Sequence, residues 1–323
     1  MSFKKISVVQ TNNSPALLNN NRWVISQSLN ESELQSLKDY AQAQGFQPSE
    51  GSETDLVLNT LKWVHAQWNH DGVNQPPSHY RALDILKSVH QENQQYRCVE
   101  YGIVLSELLQ ALGFTTRTVG LRTIDSAYGG FGQGHVAMEV WINELSKWIF
   151  LDPQFGASLM AENHLLNFYE LHQYKKKEQW SLIKTHLTSG TSSPVSAEEY
   201  KSFLQNYFGH MKVSAGDKQP QICLALDAKD LPLTFQGHAS NNVIFTDKVS
   251  LFYPEINKTT LFLSFKETSD DFQKLMSELK ITSNEEYLQQ MKNFAVKPQF
   301  SVKIDSSMSH LKGYEYRLSL IHI

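Results

Sequence analysis

Cys98 is the residue in this sequence that is best placed for nucleophilic chemistry. It directly precedes an apolar stretch with helical periodicity that Gly113 ends, so the thiol is expected at a helix N-terminus. Free backbone N–H groups and the helix dipole stabilise an anion there by about 0.3–1 kcal/mol. With a protonated histidine nearby, the pKa of such a thiol falls from about 8.5 to roughly 3.5–7.5. The polar neighbours Arg97 and Glu100 argue against the alternative, a structural cysteine buried on all sides.

A histidine and an aspartate are predicted to lie side by side on a β-hairpin. His135 begins one strand pattern, and Asp152 ends the next, with a turn at residues 143–146 between them. If the residues flanking this turn pair, Asp152 lies opposite Ala137, which shares a strand face with His135. Asp152 is then the diagonal neighbour of His135. With Cys98 as nucleophile, His135 can act as base and then acid, while Asp152 orients the ring.

The periodicity of the sequence predicts the elements that position these residues. Helices are expected before the Cys98 helix, at residues 31–44, about 53–70 and 81–89, and strands after it, at 114–122, 135–142 and 147–151. Residues 160–212 are expected to be helical, with a break at residues 188–194. Short strands, including Val249 to Tyr253, then predict a β-rich region with two helical stretches. We therefore predict an irregular or helical extension, a catalytic domain with a helical extension, and a C-terminal β-rich domain, at residues 1–50, 51–215 and 216–323.

Several of these segments resemble the core of the transglutaminase-like superfamily. They are Tyr96–Gly102, Leu108–Phe114, Thr115–Val119, Gly134–Trp141, Trp148–Pro153 and the preceding helix Ala82–Lys87. The resemblance covers residues 55–156 and implies an α+β fold with a papain-like core of helices and an antiparallel sheet, here followed by a sandwich-like C-terminal domain. In that family the matched residues form the catalytic triad, which implies this role for Cys98, His135 and Asp152.

The oxyanion hole is less well defined than the triad. An oxyanion needs a second donor besides the backbone N–H of Cys98. Three side chains could supply it, and the sequence does not choose among Gln95, Trp63 and Trp68. The family commonly has a glycine before the nucleophile, whereas this sequence has Tyr96-Arg97 there.

Two further features lie close to His135 in the sequence. Gly132 and Gly134 belong to a glycine-rich loop that lacks the Gly-Lys-Ser/Thr ending of a phosphate loop, so we expect it to shape the approach to His135. Glu139 shares a strand face with His135 and is either a structural ion-pair partner or a rival orienting carboxylate. Asp152 is preferred because the resemblance matches it.

The resemblance implies a thiol-dependent enzyme that acts on a peptide or carboxamide bond of a protein or peptide substrate. Whether water or an amine accepts the acyl group depends on how dry the cleft is. Two alternatives stay open: an inactive papain-like binding module, and an acyl transferase resembling arylamine N-acetyltransferases. The latter resemblance rests on Arg97–Glu100, Leu112–Phe114 and Phe155-Gly156, but the Arg-Gly-Gly stretch of those enzymes is missing.

Composition excludes several other classes of protein. The 323 residues carry a net charge of −4, so nucleic acid is not an expected partner, and no apolar run is long enough to span a membrane. Two cysteines cannot form a disulfide framework or a four-thiolate zinc site, and Cys223 is expected to fill the core. The histidines show no metal-ligand spacing, and no cofactor is expected. Without a recognisable signal peptide, the chain is expected in the cytoplasm or exported by another route. Its oligomeric state is left open.

Overall fold

The computed structural model describes residues 29–126, 132–188, 195–214, 221–228, 243–253, 259–265, 280–291 and 300–306, together with residues 274, 277 and 278. The chain divides into two compact units. One comprises Met1–Ile256 and Ser309–Ile323, and the other comprises Asn257–Met308. All of the predicted site residues belong to the first unit.

Four helices form one layer of the first unit: α1 (Glu31–Ala43), α2 (Glu53–His65), α3 (Ala82–Glu92) and α4 (Cys98–Ala111). The first two begin at side-chain caps, where Asn30 and Ser52 accept hydrogen bonds from backbone N–H groups three residues on. Helix α4 is the central one, because it contacts the three other helices as well as the sheet. Residues 104–109 of this helix are all buried, which fits a helix with neighbours on every side.

The sheet of this unit has nine strands among the described residues. They are β1 (Thr115–Arg122), β2 (Gly134–Ile142), β3 (Lys147–Asp152), β4 (Ala157–Ala161), β5 (His164–Leu165), β6 (Lys184–Leu187), β7 (His210–Ser214), β8 (Gln221–Ala225) and β9 (Val243–Thr246). Eight strands follow the order β5-β4-β3-β2-β1-β7-β8-β9, while β6 pairs with β4. Every pairing is antiparallel except that of β8 with β9. The predicted α+β class with a mostly antiparallel sheet is therefore confirmed.

The hairpin formed by β2 and β3 has the predicted register. Ile142 pairs with Lys147 across the turn, and the ladder continues to the pair Met138–Leu151. Side chains alternate along β2, so Met138 joins the core beneath the helices whereas Ala137 joins the core on the other face. A slip of one residue would exchange these two sets, so burial on both faces fixes the register.

The turn of this hairpin is also held by the start of α2. The Glu53 carboxylate accepts hydrogen bonds from the backbone N–H groups of Asn143 (2.7 Å) and Glu144 (3.2 Å). In return, Thr54 donates its backbone N–H (2.9 Å) and its hydroxyl (2.6 Å) to the Glu144 carboxylate. These reciprocal contacts join the hairpin to the helical layer and so help to fix where its strands lie relative to α4.

The second face of the sheet is covered by α5 (Phe168–Lys176), a short 3₁₀ helix (Trp180–Leu182), α6 (Ala197–Gln205) and α7 (Val249–Phe252). Two predictions for this region are wrong. Residues 160–212 are not helical on both sides of the expected break, because β5, β6 and the start of β7 lie within them. Strand β6 is only four residues long and has no apolar face, so its pattern is weak. Val249 to Tyr253 forms a helical turn instead of a strand, since so short an apolar run fits both structures.

The second unit contains the antiparallel pair β10 (Thr259–Phe265) and β11 (Phe300–Ser306), and the helix α8 (Asn284–Met291). The rest of the predicted β-rich domain lies largely outside the described residues, as does the irregular start predicted before residue 29. The sandwich and the domain limits at residues 50 and 215 stay predictions. Within the described part of the chain, no helix is both long enough and apolar enough to cross a membrane.

Candidate active site

Cys98 is the first residue of α4, as the sequence predicts. The preceding residue, Arg97, is extended and marks the helix start; its backbone N–H donates to the Glu100 carboxylate (3.1 Å), which also pairs with the Arg97 guanidinium (2.9 Å). One residue earlier, Tyr96 is buried and its hydroxyl lies 2.9 Å from the hydroxyl of Ser88 on α3. The start of the helix is thus fixed on both sides, while the Cys98 side chain itself stays only half-buried.

His135 and Asp152 form a buried pair. His135 Nε2 lies 2.7 Å from Asp152 Oδ2. The histidine is 4% exposed and the aspartate is fully buried, so water scarcely screens this interaction. The contact follows from the hairpin register, which makes the two residues diagonal neighbours.

The Cys98 side chain interacts with the imidazole of His135 and favours its charged form. Because Nε2 of the ring contacts Asp152, Nδ1 is the ring nitrogen left for the thiol. Burial opposes protonation of the ring, but the Asp152 carboxylate and the Cys98 side chain outweigh it and raise the pKa of His135 to about 10. A protonated imidazole beside a thiol at a helix N-terminus is the environment that favours the reactive thiolate.

Three aromatic side chains that the sequence analysis did not assign to the site enclose the imidazole. The ring of Phe203 lies edge-on to His135 at a centroid distance of 5.2 Å, and the rings of Tyr207 and Phe155 lie at 5.7 and 6.0 Å. Phe203 belongs to the apolar stripe of α6, and such a stripe signals burial without saying what it covers. Of the three aromatic residues, only Phe155 lies close in sequence to a predicted triad residue, three positions after Asp152.

Tyr200 is a second contact of Asp152 that the sequence analysis did not identify. Its hydroxyl donates to Asp152 Oδ2 (2.9 Å), the oxygen that also contacts His135. Burial and the Asp152 charge raise the pKa of Tyr200 well above its ordinary value, so the phenol stays protonated. Asp152 Oδ1 is buried and has no hydrogen-bond partner among the described residues.

Glu139, the other carboxylate on this strand face, is engaged elsewhere. Its Oε2 pairs with the Arg117 guanidinium at 2.6 Å, and both side chains are fully buried. Its Oε1 accepts hydrogen bonds from the Phe168 backbone N–H (2.9 Å) and the Tyr253 hydroxyl (2.8 Å). Glu139 is therefore a structural ion-pair partner, which was one of the two readings that the sequence left open.

The three side chains considered for the oxyanion hole have different surroundings. Trp68 is buried, stacks on Tyr101 and donates its indole N–H to the Tyr96 carbonyl (3.3 Å). Trp63 belongs to α2, and its ring packs against that of Phe46. Gln95 lies three residues before Cys98 and is half-buried, and its side-chain amide makes no hydrogen bond within the part of the chain that the structure describes.

Gly134 is the first residue of β2 and directly precedes His135, and Gly132 lies two residues earlier. Residues 127–131 of their loop lie outside the described residues. Gly132 has φ +78°, a conformation that favours glycine, and its carbonyl accepts a hydrogen bond from the Tyr207 hydroxyl (3.3 Å). At Gly134, a Cβ atom would collide with the Arg122 guanidinium. A cleft of about 490 Å³ opens beside this loop, and Tyr207 belongs both to its lining and to the aromatic contacts of His135.

The remaining candidate residues lie outside the site. Cys223 is buried in β8, and burial raises the pKa of its thiol to about 12, as fits the predicted core residue. No group of three or more possible metal ligands occurs among the described residues.

Comparison with known proteins identifies the domain that carries this site. Residues 40–153 match the family model of the transglutaminase-like superfamily, a stretch that includes Cys98, His135 and Asp152. This stretch is thus a transglutaminase-like domain, which confirms the resemblance and supports cysteine-based chemistry of this type. No curated protein sequence matches the chain.

A similar structure is that described as "a Putative Cysteine Protease from Cytophaga hutchinsonii". The two chains are 15% identical with a TM-score of 0.30, and the similarity covers 73% of this chain. This chain spans 62% of the length of that protein. A similarity of this size carries no argument about function.

Proposed function

We propose that this transglutaminase-like domain is a thiol-dependent acyl-transfer enzyme that acts on a peptide or carboxamide bond. The observation that supports the proposal most strongly is the buried pair of His135 and Asp152, 2.7 Å apart, together with the half-buried Cys98 at the start of α4, whose side chain favours the charged imidazole. A cysteine that served only to fill the core would need neither a charged imidazole nor a position at the surface of a helix N-terminus.

In the first half-reaction, the Cys98 thiolate attacks the substrate carbonyl and forms a tetrahedral intermediate. His135, protonated at Nδ1, then gives this proton to the departing amine as the C–N bond breaks, which leaves a thioester on Cys98. In the second half-reaction, neutral His135 takes a proton from water or from an amine as that nucleophile attacks the thioester. The thiolate leaves, and the product is a carboxylic acid or a new amide. Asp152 keeps the ring oriented through both steps.

Gln95 is our choice for the second donor of the oxyanion hole, beside the backbone N–H of Cys98. The Trp68 indole N–H already donates to a backbone carbonyl, and Trp63 packs in the helical layer. The Gln95 backbone is held close to the nucleophile, because its carbonyl accepts a hydrogen bond from Asn74 Nδ2 (2.7 Å). Its side-chain amide would donate to the negatively charged oxygen of the tetrahedral intermediate.

The enclosure of His135 bears on the alternative, an inactive binding module. Phe155, Phe203 and Tyr207 cover the ring, whereas Cys98 stays only half-buried. The substrate carbonyl approaches the thiol, and the imidazole needs only to reach the thiol and the leaving group. Aromatic cover on the other sides of the ring excludes bulk water and strengthens its interaction with Asp152, which suits catalysis.

The proposal is tested by the rate at which iodoacetamide alkylates Cys98 at neutral pH, measured by peptide mapping. A thiol of pKa 8.5 is only about 3% thiolate at pH 7, so an activated Cys98 is expected to react about tenfold faster than free cysteine. His135→Ala should remove this advantage. His172→Ala is the matched control, because His172 is a buried histidine that pairs with a different carboxylate, Asp227, at 2.7 Å.

The proposal is wrong if Cys98 reacts no faster than free cysteine, or if His135→Ala leaves its rate unchanged.

A second experiment, with a glutamine-containing peptide and a primary amine as substrates, distinguishes the types of reaction. Peptide cleavage indicates a protease, ammonia release an amidase or deamidase, and amine incorporation a transglutaminase. A thermal shift with coenzyme A would instead favour the acyl transferase that resembles arylamine N-acetyltransferases.

A further inference from the structure

Tyr200 lies outside residues 40–153, the stretch that matches the superfamily, yet it touches the candidate triad directly. Its hydroxyl donates to Asp152 Oδ2 at 2.9 Å, and both side chains are fully buried. The ring is held in place by Phe155 (5.1 Å between centroids) and by Phe203 one turn further along α6 (6.3 Å). A buried phenol fixed in this way cannot turn to another acceptor without moving α6.

The two oxygens of Asp152 are used unequally. Oδ2 receives hydrogen bonds from both His135 Nε2 and the Tyr200 hydroxyl, whereas Oδ1 is buried without a partner among the described residues. A buried carboxylate free to rotate would share its donors between its two oxygens, because each desolvated oxygen without a donor raises its free energy. The Tyr200 hydroxyl therefore selects one orientation of the carboxylate, the one that presents Oδ2 to the imidazole.

We propose that Tyr200 is a positioning residue of the catalytic site, which holds the Asp152 carboxylate in the orientation that supports the charged His135. The inference rests on the proposed function and adds to it a fourth residue, supplied by α6. Tyr200 does not touch the reacting atoms, so it acts only through Asp152.

Other titratable groups also interact with the Asp152 carboxylate, and all of them are still present in a Tyr200 variant. His65 at the end of α2, His70 in the loop after it, and Tyr207 beside His135 each interact with the Asp152 charge. None of them is changed when Tyr200 alone is replaced. A shift in the pH profile of a Tyr200 variant therefore reports on the contact with Asp152.

The experiment measures Cys98 alkylation by iodoacetamide across acidic and neutral pH in the full-length protein. Without the Tyr200 donor the carboxylate can turn away from the imidazole, which weakens its support of the charged His135 and so of the thiolate beside it. A hydrogen bond to a charged group is worth about tenfold in an equilibrium. In Tyr200→Phe, the acidic limb of the rate profile should therefore move to higher pH by about one unit. A purely structural role would lower the folded fraction without moving this limb.

Tyr253→Phe is the matched control, since the hydroxyl of the half-buried Tyr253 also donates to a buried carboxylate, that of Glu139, at 2.8 Å. Its acidic limb should coincide with that of the unmodified protein. If Tyr200→Phe does not fold, 3,5-difluorotyrosine at position 200 keeps the shape and makes a stronger donor, so the limb should move to lower pH.

The possible failures are distinguishable. A wild-type Cys98 that titrates like free cysteine overturns the proposed function itself. If wild-type Cys98 is activated but the acidic limb of the rate profile does not move in either Tyr200 variant, only the role of Tyr200 is overturned. A limb that moves equally in Tyr253→Phe also overturns it, because the shift would then not depend on the contact with Asp152.

Discussion

Replacing Glu139 by glutamine tests whether the two carboxylates near His135 have separate roles. Glu139 pairs with Arg117 and Asp152 pairs with His135, and both pairs are buried on the same side of the sheet. Glu139→Gln should therefore destabilise the fold while leaving the reactivity of Cys98 in the folded protein unchanged. Asp152→Asn should lower that reactivity instead.

The expected loss of stability follows from the surroundings of Arg117. Its guanidinium has no exposed surface and lies over the rings of Trp148 (4.3 Å), Phe252 (4.7 Å) and Tyr253 (4.5 Å). It also donates to the Phe252 carbonyl, but Glu139 supplies the only carboxylate paired with it among the described residues. Removing one partner of a buried ion pair costs about 3–5 kcal/mol, because the other charge stays buried without compensation.

Urea unfolding followed by tryptophan fluorescence measures this cost, since Trp148 lies against Arg117. Glu170→Gln is the matched control: Glu170 pairs with Lys147 at 2.7 Å, but both side chains are partly exposed, so about 0–1 kcal/mol is expected. The reasoning is refuted if Glu139→Gln costs no more than Glu170→Gln, or if it slows Cys98 alkylation as much as Asp152→Asn does.

Three further outcomes are expected from the geometry of the site. The pKa of His135 is raised from 6.5 to about 10, so its charged form contributes stability that is complete below pH 6.5 and lost as pH rises toward 10. The free energy of unfolding should fall across this interval, and Asp152→Asn should flatten the fall. Gly156→Ala should lower the free energy of unfolding, measured in urea, by more than Gly45→Ala does. Both glycines have positive φ, so both variants suffer roughly 1–2 kcal/mol of backbone strain. Only at Gly156 would a Cβ also collide with its neighbours, so the difference between the variants measures the packing cost. Gln95→Ala should lower kcat about 10²–10³-fold with little change in KM, and an unchanged kcat would remove Gln95 from the oxyanion hole.

The contact between His135 and Asp152 could be predicted from the sequence because it depends on local rules. A four-residue turn and strict alternation fix a hairpin register, and the register fixes which side chains are neighbours. The start of α4 at Cys98 was predictable for a similar reason, since the apolar periodicity begins there and Gly113 ends it with φ +94°.

The contacts of Tyr200 and Phe203 could not be predicted, because they join segments about 50–70 residues apart in the chain. An apolar stripe on a helix predicts that the stripe is buried, but not against which partner. The predictions for the short elements were wrong for another reason. Four residues, as in β6 or α7, contain too little periodicity to separate a strand from a helical turn.

The candidate site therefore depends on more of the chain than the superfamily match covers. The match ends at residue 153, whereas the cover over His135 and the second donor to Asp152 come from Phe155 and from residues 200–207. Without α6, the imidazole and the carboxylate would face water, which would weaken their interaction and let the carboxylate rotate. The β2–β3 hairpin therefore sets the geometry of the His135–Asp152 pair, and α6 strengthens their interaction by excluding water. Because α6 also covers one side of the ring, substitutions in it are expected to change the reactivity of Cys98 without touching the thiol.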